Sequence, residues 1–298
     1  RQVYILNRTN NSESLRNFAA FTDLGEGRVI LKESNSQIGT GSGGPNDNSS
    51  NLLFSNLTSN AGLRDIDQVD NLLSSQFIFS KSLDYEKVTS ARKLDSDEYE
   101  INKTLGYISL LRRLQNDEVL AVSYEYTYNG ERFKVGELTE DYQNRDESEV
   151  IFLKLLRPSN INVSIPSWDL MMKNIYNLNA TRIESENFEL KVNYRDDAVG
   201  FNNPSLNEGI LTRDKPLVRL LGLDRLNSNN DPQYDGNFDF VEGFTINPER
   251  GNIIFPVLEP FGSTLDSYFQ ESSELDLSER YVYNCLLYTS DAADDMAS

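Results

Sequence analysis

The chain has 298 residues, with 28 Lys plus Arg against 47 Asp plus Glu and no His, for a formal net charge of −19. At about 150 residues per domain this length predicts two domains or one large all-β domain, and a 38% hydrophobic share with 15 Tyr and 15 Phe is enough to fill a core. The acidity argues against a nucleic-acid partner, which requires Lys and Arg to displace counterions, and against anionic lipid surfaces; the lack of His removes Ser-His and Cys-His nucleophile pairs and His-ligated zinc.

The chain opens Arg1-Gln2-Val3, with neither Met nor an apolar leader, so the start reads as internal to a longer protein. Residues 1–33 are expected to hold a first strand and helix. Residues 34–60 read as a flexible Gly/Ser/Asn-rich loop, clearest over Ser34 to Asn51. Its glycines lack a following Gly-Lys-Ser/Thr, so they do not form a phosphate cradle.

Residues 61–284 read as β-rich. Within them Leu63, Ile66, Val69, Leu72 and Leu73 fall on one helical face, which predicts a helix over 63–73. The strongest hairpin signal is Val119–Tyr128, then Asn129-Gly130, then Glu131–Leu138, because Asn-Gly accepts the positive φ angles of a type I′ turn. A two-residue loop opposes Tyr128 to Glu131, Tyr126 to Phe133 and Tyr124 to Val135. Pro166 and Ser167 signal a second helix over 167–177, with Trp168, Met171, Met172 and Ile175 as a core stripe. Phe188 to Tyr194 alternates as a half-buried strand. A further hairpin is expected from Phe238–Ile246 and Ile253–Leu258 about the turn Asn247–Asn252. The expected fold class is therefore mainly β with a few helices, in a sandwich-like arrangement.

The tail from Cys285 to Ser298 resembles a translated sequencing adapter and is set aside from the fold. With it goes the chain's single Cys, which could form no internal disulfide in any case. No apolar run approaches the 18 or so residues of a transmembrane helix. Only Val119 to Tyr128 approaches a membrane barrel stave, and its neighbours do not continue the series.

One stretch has metal-like spacing. Asp231, Asp235, Asp239 and Glu242, with Gly236 at position six and Glu242 at twelve, nearly fit the calcium loop. Gln233 at position three, Pro232 and the strand-like flanks depart from that pattern, and the alternative is a β-turn at Asp235-Gly236 with acidic residues facing water. Carboxylate pairs could hydrolyse glycosides without His. The clusters Asp95, Asp97, Glu98 and Asp146, Glu147, Glu149 are the places to look, although both read first as solvated loop charges.

Several long stretches are similar to the SprA/Sov family of Bacteroidetes cell-surface proteins: Tyr4-Ile-Leu-Asn-Arg-Thr-Asn-Asn-Ser-Glu-Ser-Leu-Arg-Asn17, Leu105-Gly-Tyr-Ile-Ser-Leu110, Asp117-Glu-Val-Leu-Ala-Val122, Trp168-Asp-Leu-Met-Met-Lys-Asn-Ile-Tyr176, Asp235-Gly-Asn-Phe-Asp-Phe240 and Phe255-Pro-Val-Leu-Glu-Pro-Phe-Gly262. The resemblance runs from about Val3 to Tyr283. It implies a soluble piece of a very large outer-membrane β-barrel that forms the type IX secretion translocon and serves gliding motility. The implied partners are a porin-like barrel, a periplasmic plug protein and transiting cargo. It implies no enzyme activity, catalytic residue or cofactor. Two other readings stay open from the residues alone, a glycan-binding β-sandwich and a carboxylate-dependent hydrolase.

Overall fold

A computed structural model gives the structure of the protein and describes residues 1–8, 14–25, 38–39, 44–103, 106–112, 114–115, 117–162, 164–195 and 200–282. The chain divides into two units at Met171/Met172, inside the region 61–284 that the sequence reads as β-rich. Strand outweighs helix, so the protein is mainly β.

In the first unit β1 (Gln2–Leu6), β2 (Arg16–Phe21), β3 (Tyr85–Lys93), β6 (Leu120–Tyr128), β7 (Glu131–Val135) and β8 (Val150–Arg157) form the main sheet, while β4 (Tyr99–Asn102) and β5 (Tyr107–Leu110) form a separate ribbon. The sheet is closed. β1 pairs antiparallel with β3 on one side and with β6 on the other, so β1–β3–β2–β8–β6 return to β1 as a five-strand ring. Only β2 and β8 run parallel.

Period-two patterning gives the ring an inside and an outside. Tyr4, Phe18, Ala20, Val88, Ala91, Ala121, Ile151, Leu153 and Leu155 form one buried cluster, with Tyr142 of α3 (Thr139–Tyr142) in the same group. Few strands leave little room at the axis, and three alanines among these positions suit that narrow interior. On the opposite faces Ala19, Phe21, Val135, Val150 and Phe152 pack under α1 (Leu53–Ser59) and α2 (Val69–Gln76). Val3, Ile5, Leu120 and Val122 lie beside Tyr99, Ile108 and Leu110 of the β4–β5 ribbon, which is where the expected sandwich-like layering is met.

The hairpin forms in the expected register, with Tyr124 opposite Val135, Tyr126 opposite Phe133 and Tyr128 opposite Glu131. Asn129 (φ 51°) and Gly130 (φ 84°) supply its turn. Other expectations need correction. The helix over 63–73 is broken: Ala61–Arg64 is a 3₁₀ turn, and α2 starts only at Val69. The Asp65 carboxylate accepts from the Asp67 N–H (2.8 Å) and the Gln68 side-chain amide (2.7 Å), a local turn that competes with the helical backbone. Leu63, Val69 and Leu73 are nonetheless buried together, with Ile66 and Leu72 packed against them.

The loop expected over 34–60 contains α1, with Leu53 and Leu57 buried, and two of its four glycines, Gly41 and Gly43, lie outside the described residues. Its middle is pinned to the outer edge of β7. Asn48 N–H donates to the Lys134 carbonyl (2.8 Å), Lys134 N–H donates to Asp47 (2.7 Å), and Gly136 N–H donates to the Asn48 side chain (2.8 Å). These bonds cover an edge that would otherwise invite a foreign strand. The described part of residues 1–33 contains two strands and no helix.

In the second unit β9 (Ile175–Asn177), β12 (Ile246–Asn247) and β13 (Asn252–Ile254) make a small antiparallel sheet, and β10 (Tyr194–Arg195) pairs with β11 (Asn202–Asn203). Helices α4 (Leu217–Leu220), α5 (Leu265–Glu271) and α6 (Leu275–Tyr281) complete it. The expected helix over 167–177 is absent. Pro166–Leu170 is one 3₁₀ turn, and Ile175 enters β9 opposite Ile254. Long-range pairing overrides a local helical signal here, and Met172, assigned to a core stripe, is 40% exposed.

The alternation of Phe188 to Tyr194 is visible in burial, with Val192 buried and Glu189 and Lys191 exposed, but ladder pairing begins only at Tyr194. Phe188 instead meets Phe238 (5.7 Å) and Phe240 (5.5 Å) edge-on. The hairpin about 247–252 forms, but its first arm is strand only at Ile246–Asn247. Gly251 makes this turn tight: its φ is +63°, and a Cβ there would stand 1.8 Å from the Ala180 carbonyl oxygen. The tail at 285–298 lies outside the described residues. Among the described residues no helix is long and apolar enough to cross a membrane.

Candidate functional site

The stretch with calcium-like spacing lies in the second unit, between α4 and β12. Its organiser is a residue that the spacing does not include, the fully buried Asp224. Asp224 accepts the N–H of Asp235 (3.0 Å) on one carboxylate oxygen and that of Gly236 (3.1 Å) on the other. Asp239 returns the arrangement, accepting from Arg225 (2.6 Å) and Leu226 (3.1 Å). The two carboxylates thus clasp the loop reciprocally. Each satisfies N–H groups that irregular backbone would otherwise leave unpaired.

The Asp235 carboxylate turns back to its own backbone, accepting the Asn237 N–H (2.9 Å), and Gly236 takes φ +86°. That is the Asp-Gly turn of the alternative reading. Burial pushes the Asp239 carboxyl up; its two N–H partners oppose this, and the charges of Asp224 and Asp235 add to the rise. Asp231, Asp235 and Glu242 are exposed and Asp239 is half-buried. Among the described residues no group of three or more His, Cys, Asp or Glu side chains converges as a metal site. The structure therefore does not gather Asp231, Asp235, Asp239 and Glu242 into one ligand set. Ca²⁺ takes six to eight oxygens, whereas here the Asp239 oxygens face N–H donors.

Two of the carboxylates considered for hydrolysis, Glu98 and Asp146, are likewise engaged locally. Glu98 makes a two-pronged pair with Arg92 (2.6 Å on each oxygen) and accepts the Asp95 N–H (2.9 Å). The Arg92 hydrogen bonds hold it below the usual carboxylate range against the opposing effect of burial. Asp146 caps Ser148 through its N–H (2.9 Å) and hydroxyl (2.7 Å). Asp95, Asp97 and Glu147 face water.

Two of the three most buried glutamates pair with Arg, and the sequence reading missed both. Glu137, 2% exposed, accepts two bonds from Arg64 (2.6 and 2.9 Å) and the Phe152 N–H (2.8 Å), and pairs with Arg145 (2.9 Å). Arg64 also lies over the Phe152 ring, 4.1 Å from its centroid. Glu118, 1% exposed, accepts from Arg112 (2.9 and 2.8 Å) and from the Gln115 N–H (2.9 Å). One signal could have found Glu137: it shares parity with Val135, so the strand pattern points a charge inward, and inward charges come paired.

The remaining feature is aromatic. Tyr124, Tyr126 and Phe133 form a ladder on the β6–β7 hairpin, with centroids 6.2 and 5.5 Å apart and the second pair stacked. The Tyr126 hydroxyl donates to the Asn46 carbonyl (2.6 Å). Tyr128, next along, is 55% exposed. Comparison with known proteins adds no assignment: no protein-family model and no curated protein matches the chain.

Proposed function

We propose that the chain is a structural, non-enzymatic segment of a type IX protein-secretion translocon at the outer membrane. The reading rests on the resemblance set out above. It is supported by what the resembling stretches do in the fold, which is to pack. Val3 and Ile5 lie just before and within the first stretch, Leu120 and Val122 belong to the third, and all four share one buried cluster. Tyr176, Phe255 and Phe261, from the fourth and last stretches, make three mutual edge-on contacts of 5.4 to 5.6 Å.

Long unusual words used for packing belong to a scaffold. The acidic residues clamp backbone and pair with Arg, and a strongly negative surface repels most acidic cargo. The partners on this reading are a porin-like barrel, a plug protein and passing cargo. Photo-crosslinking from Tyr128 and Phe244 in the protein expressed in its own cells should trap envelope components or cargo. Unimpaired secretion and gliding after disruption of the first unit, with no such adducts, would overturn it.

A second reading, glycan binding, is favoured by the Tyr126–Phe133 stack beside exposed Tyr128, since aromatic faces stack on sugar rings. Binding to a glycan array that is lost in Tyr126→Ala would select it over the first.

A further inference from the structure

Asp231-Pro232 is the one Asp-Pro bond in the sequence, and its loop is organised around the carbonyl of that bond. The Asp231 carbonyl oxygen accepts the N–H of Asn227 (2.9 Å) and the N–H of Gln233 (2.7 Å). The second bond closes a three-residue turn over Pro232, whose fixed φ suits it. The Asn227 side-chain oxygen accepts from the N–H groups of Asp231 (3.0 Å) and Asn229 (2.9 Å), and Asn230 completes the bend at φ +62°. Asp231 and Pro232 are both exposed. Among the described residues the Asp231 carboxylate has no hydrogen-bond partner.

These features are the parts of an intramolecular acyl transfer. The nucleophile is tethered one carbon from the backbone, which gives it a high effective concentration. Two fixed N–H donors point at the oxygen that becomes negative when the carbonyl is attacked. The leaving nitrogen belongs to a tertiary amide open to water, from which it can take a proton.

We propose that this loop is a self-cleavage site, at which the Asp231 carboxylate breaks the bond to Pro232. A carboxylate oxygen adds to the Asp231 carbonyl carbon and closes a five-membered ring, placing negative charge on the oxygen held by Asn227 and Gln233. The C–N bond then breaks, and the departing nitrogen takes a proton from water to leave Pro232 as a secondary amine. Asp231 is left as a cyclic anhydride, which one water opens to two carboxyl groups. The sum is hydrolysis of one peptide bond, with no oxidation or reduction. Asn227 is a positioning residue; the group that touches the reacting carbon is Asp231. Asp224 lies on the other side of the cut from Asp235 and Gly236, which it holds, so the cut is read under denaturing conditions.

The test compares the native chain with the same chain in concentrated urea, both at about pH 5, where carboxylates are ionised and protons are still available. Mass spectrometry follows the fragments ending at Asp231 and beginning at Pro232. The native chain should cleave roughly tenfold faster than the unfolded one, at the modest end of what oxyanion donors supply because the loop is exposed. Asp231→Ala should not cleave, Pro232→Ala should cleave more slowly, and Asn227→Ala should fall to the unfolded rate, with thermal unfolding confirming that each variant folds. Should Asn227→Ala not fold, Pro232→Ala and the native-to-unfolded ratio decide. Native cleavage no faster than in urea, or fragments from Asp231→Ala at the same bond, would overturn the proposal.

Discussion

Replacing Glu137 with Ala tests the claim that buried carboxylates hold the first unit together. The side chain is 2% exposed, accepts from the Arg64 guanidinium and the Phe152 N–H, and forms an ion pair with Arg145. Its loss strands Arg64, whose side chain is only 12% exposed, and Arg145, which is 30% exposed and better able to recruit water. Breaking a buried ion pair from one side costs about 3–5 kcal/mol, and partial hydration of Arg145 points to the lower end, about 3 kcal/mol. The single Trp, Trp168, lies in the first unit, so urea unfolding followed by its fluorescence reads this unit. A companion, Arg64→Met with Glu137→Leu, should recover part of the loss, because it removes the more buried of the two stranded guanidinium groups and leaves only Arg145 without its carboxylate. A cost below about 1 kcal/mol for Glu137→Ala, in the range of a surface pair, would refute the argument.

Four further outcomes follow from the same geometry. Gly251→Ala should lower the stability of the second unit by about 2 kcal/mol or more, since it combines φ +63° with a clash on the Ala180 carbonyl; a thermal midpoint equal to wild type would contradict this. Burial pushes the Glu118 carboxyl up, but Arg112 and the Gln115 N–H more than offset it, and Arg92 hydrogen bonds hold Glu98 down. Both folded-state pKa values lie below the unfolded ones, so their stabilisation is full above about pH 4.3 and is lost as pH falls through the folded values. Stability measured against pH should therefore fall less steeply in acid for the Glu98→Gln, Glu118→Gln double variant. Asp239 has the opposite sign: its raised pKa contributes stability at low pH that is lost as pH rises. Asp239→Asn should match or exceed wild type in melting temperature at pH 7 and lose that advantage in acid, and a clear drop at pH 7 would refute the reading. Because the Asp239 oxygens serve N–H groups, Ca²⁺ at about 1 mM should leave the melting of the second unit unchanged by calorimetry.

Residues that settle their structure with near neighbours were legible. Asn129-Gly130 determines its turn, and the turn determines the register of Tyr124, Tyr126 and Tyr128. Where distant partners decide, local pattern misled. Nothing near Ile175 shows that it will pair with Ile254 instead of continuing a helix, and nothing near Asp65 shows that its carboxylate will close a turn instead of facing water. The acidic loop was legible as an Asp-Gly turn but not as a clasp, because Asp224 lies outside the twelve residues that the spacing singled out. Counting carboxylates likewise hid Glu118 and Glu137, whose significance comes from their Arg partners and not from their number. Ring closure was not legible, because β1 carries no mark that it has two partners.

That closure has a consequence for the order in which the protein forms. During synthesis β1 emerges before the other strands of the ring, yet Val3 cannot meet Val122 until β6 has been made. Its other neighbour, β3, and the parallel pairing of β2 with β8 also wait on distant chain. Loop closure must precede the pairing that rewards it, so the first unit should fold slowly for its size, with β1 joining late. Until then the edges of β3 and β6 are open, and a chain held in that interval can take a strand from another molecule.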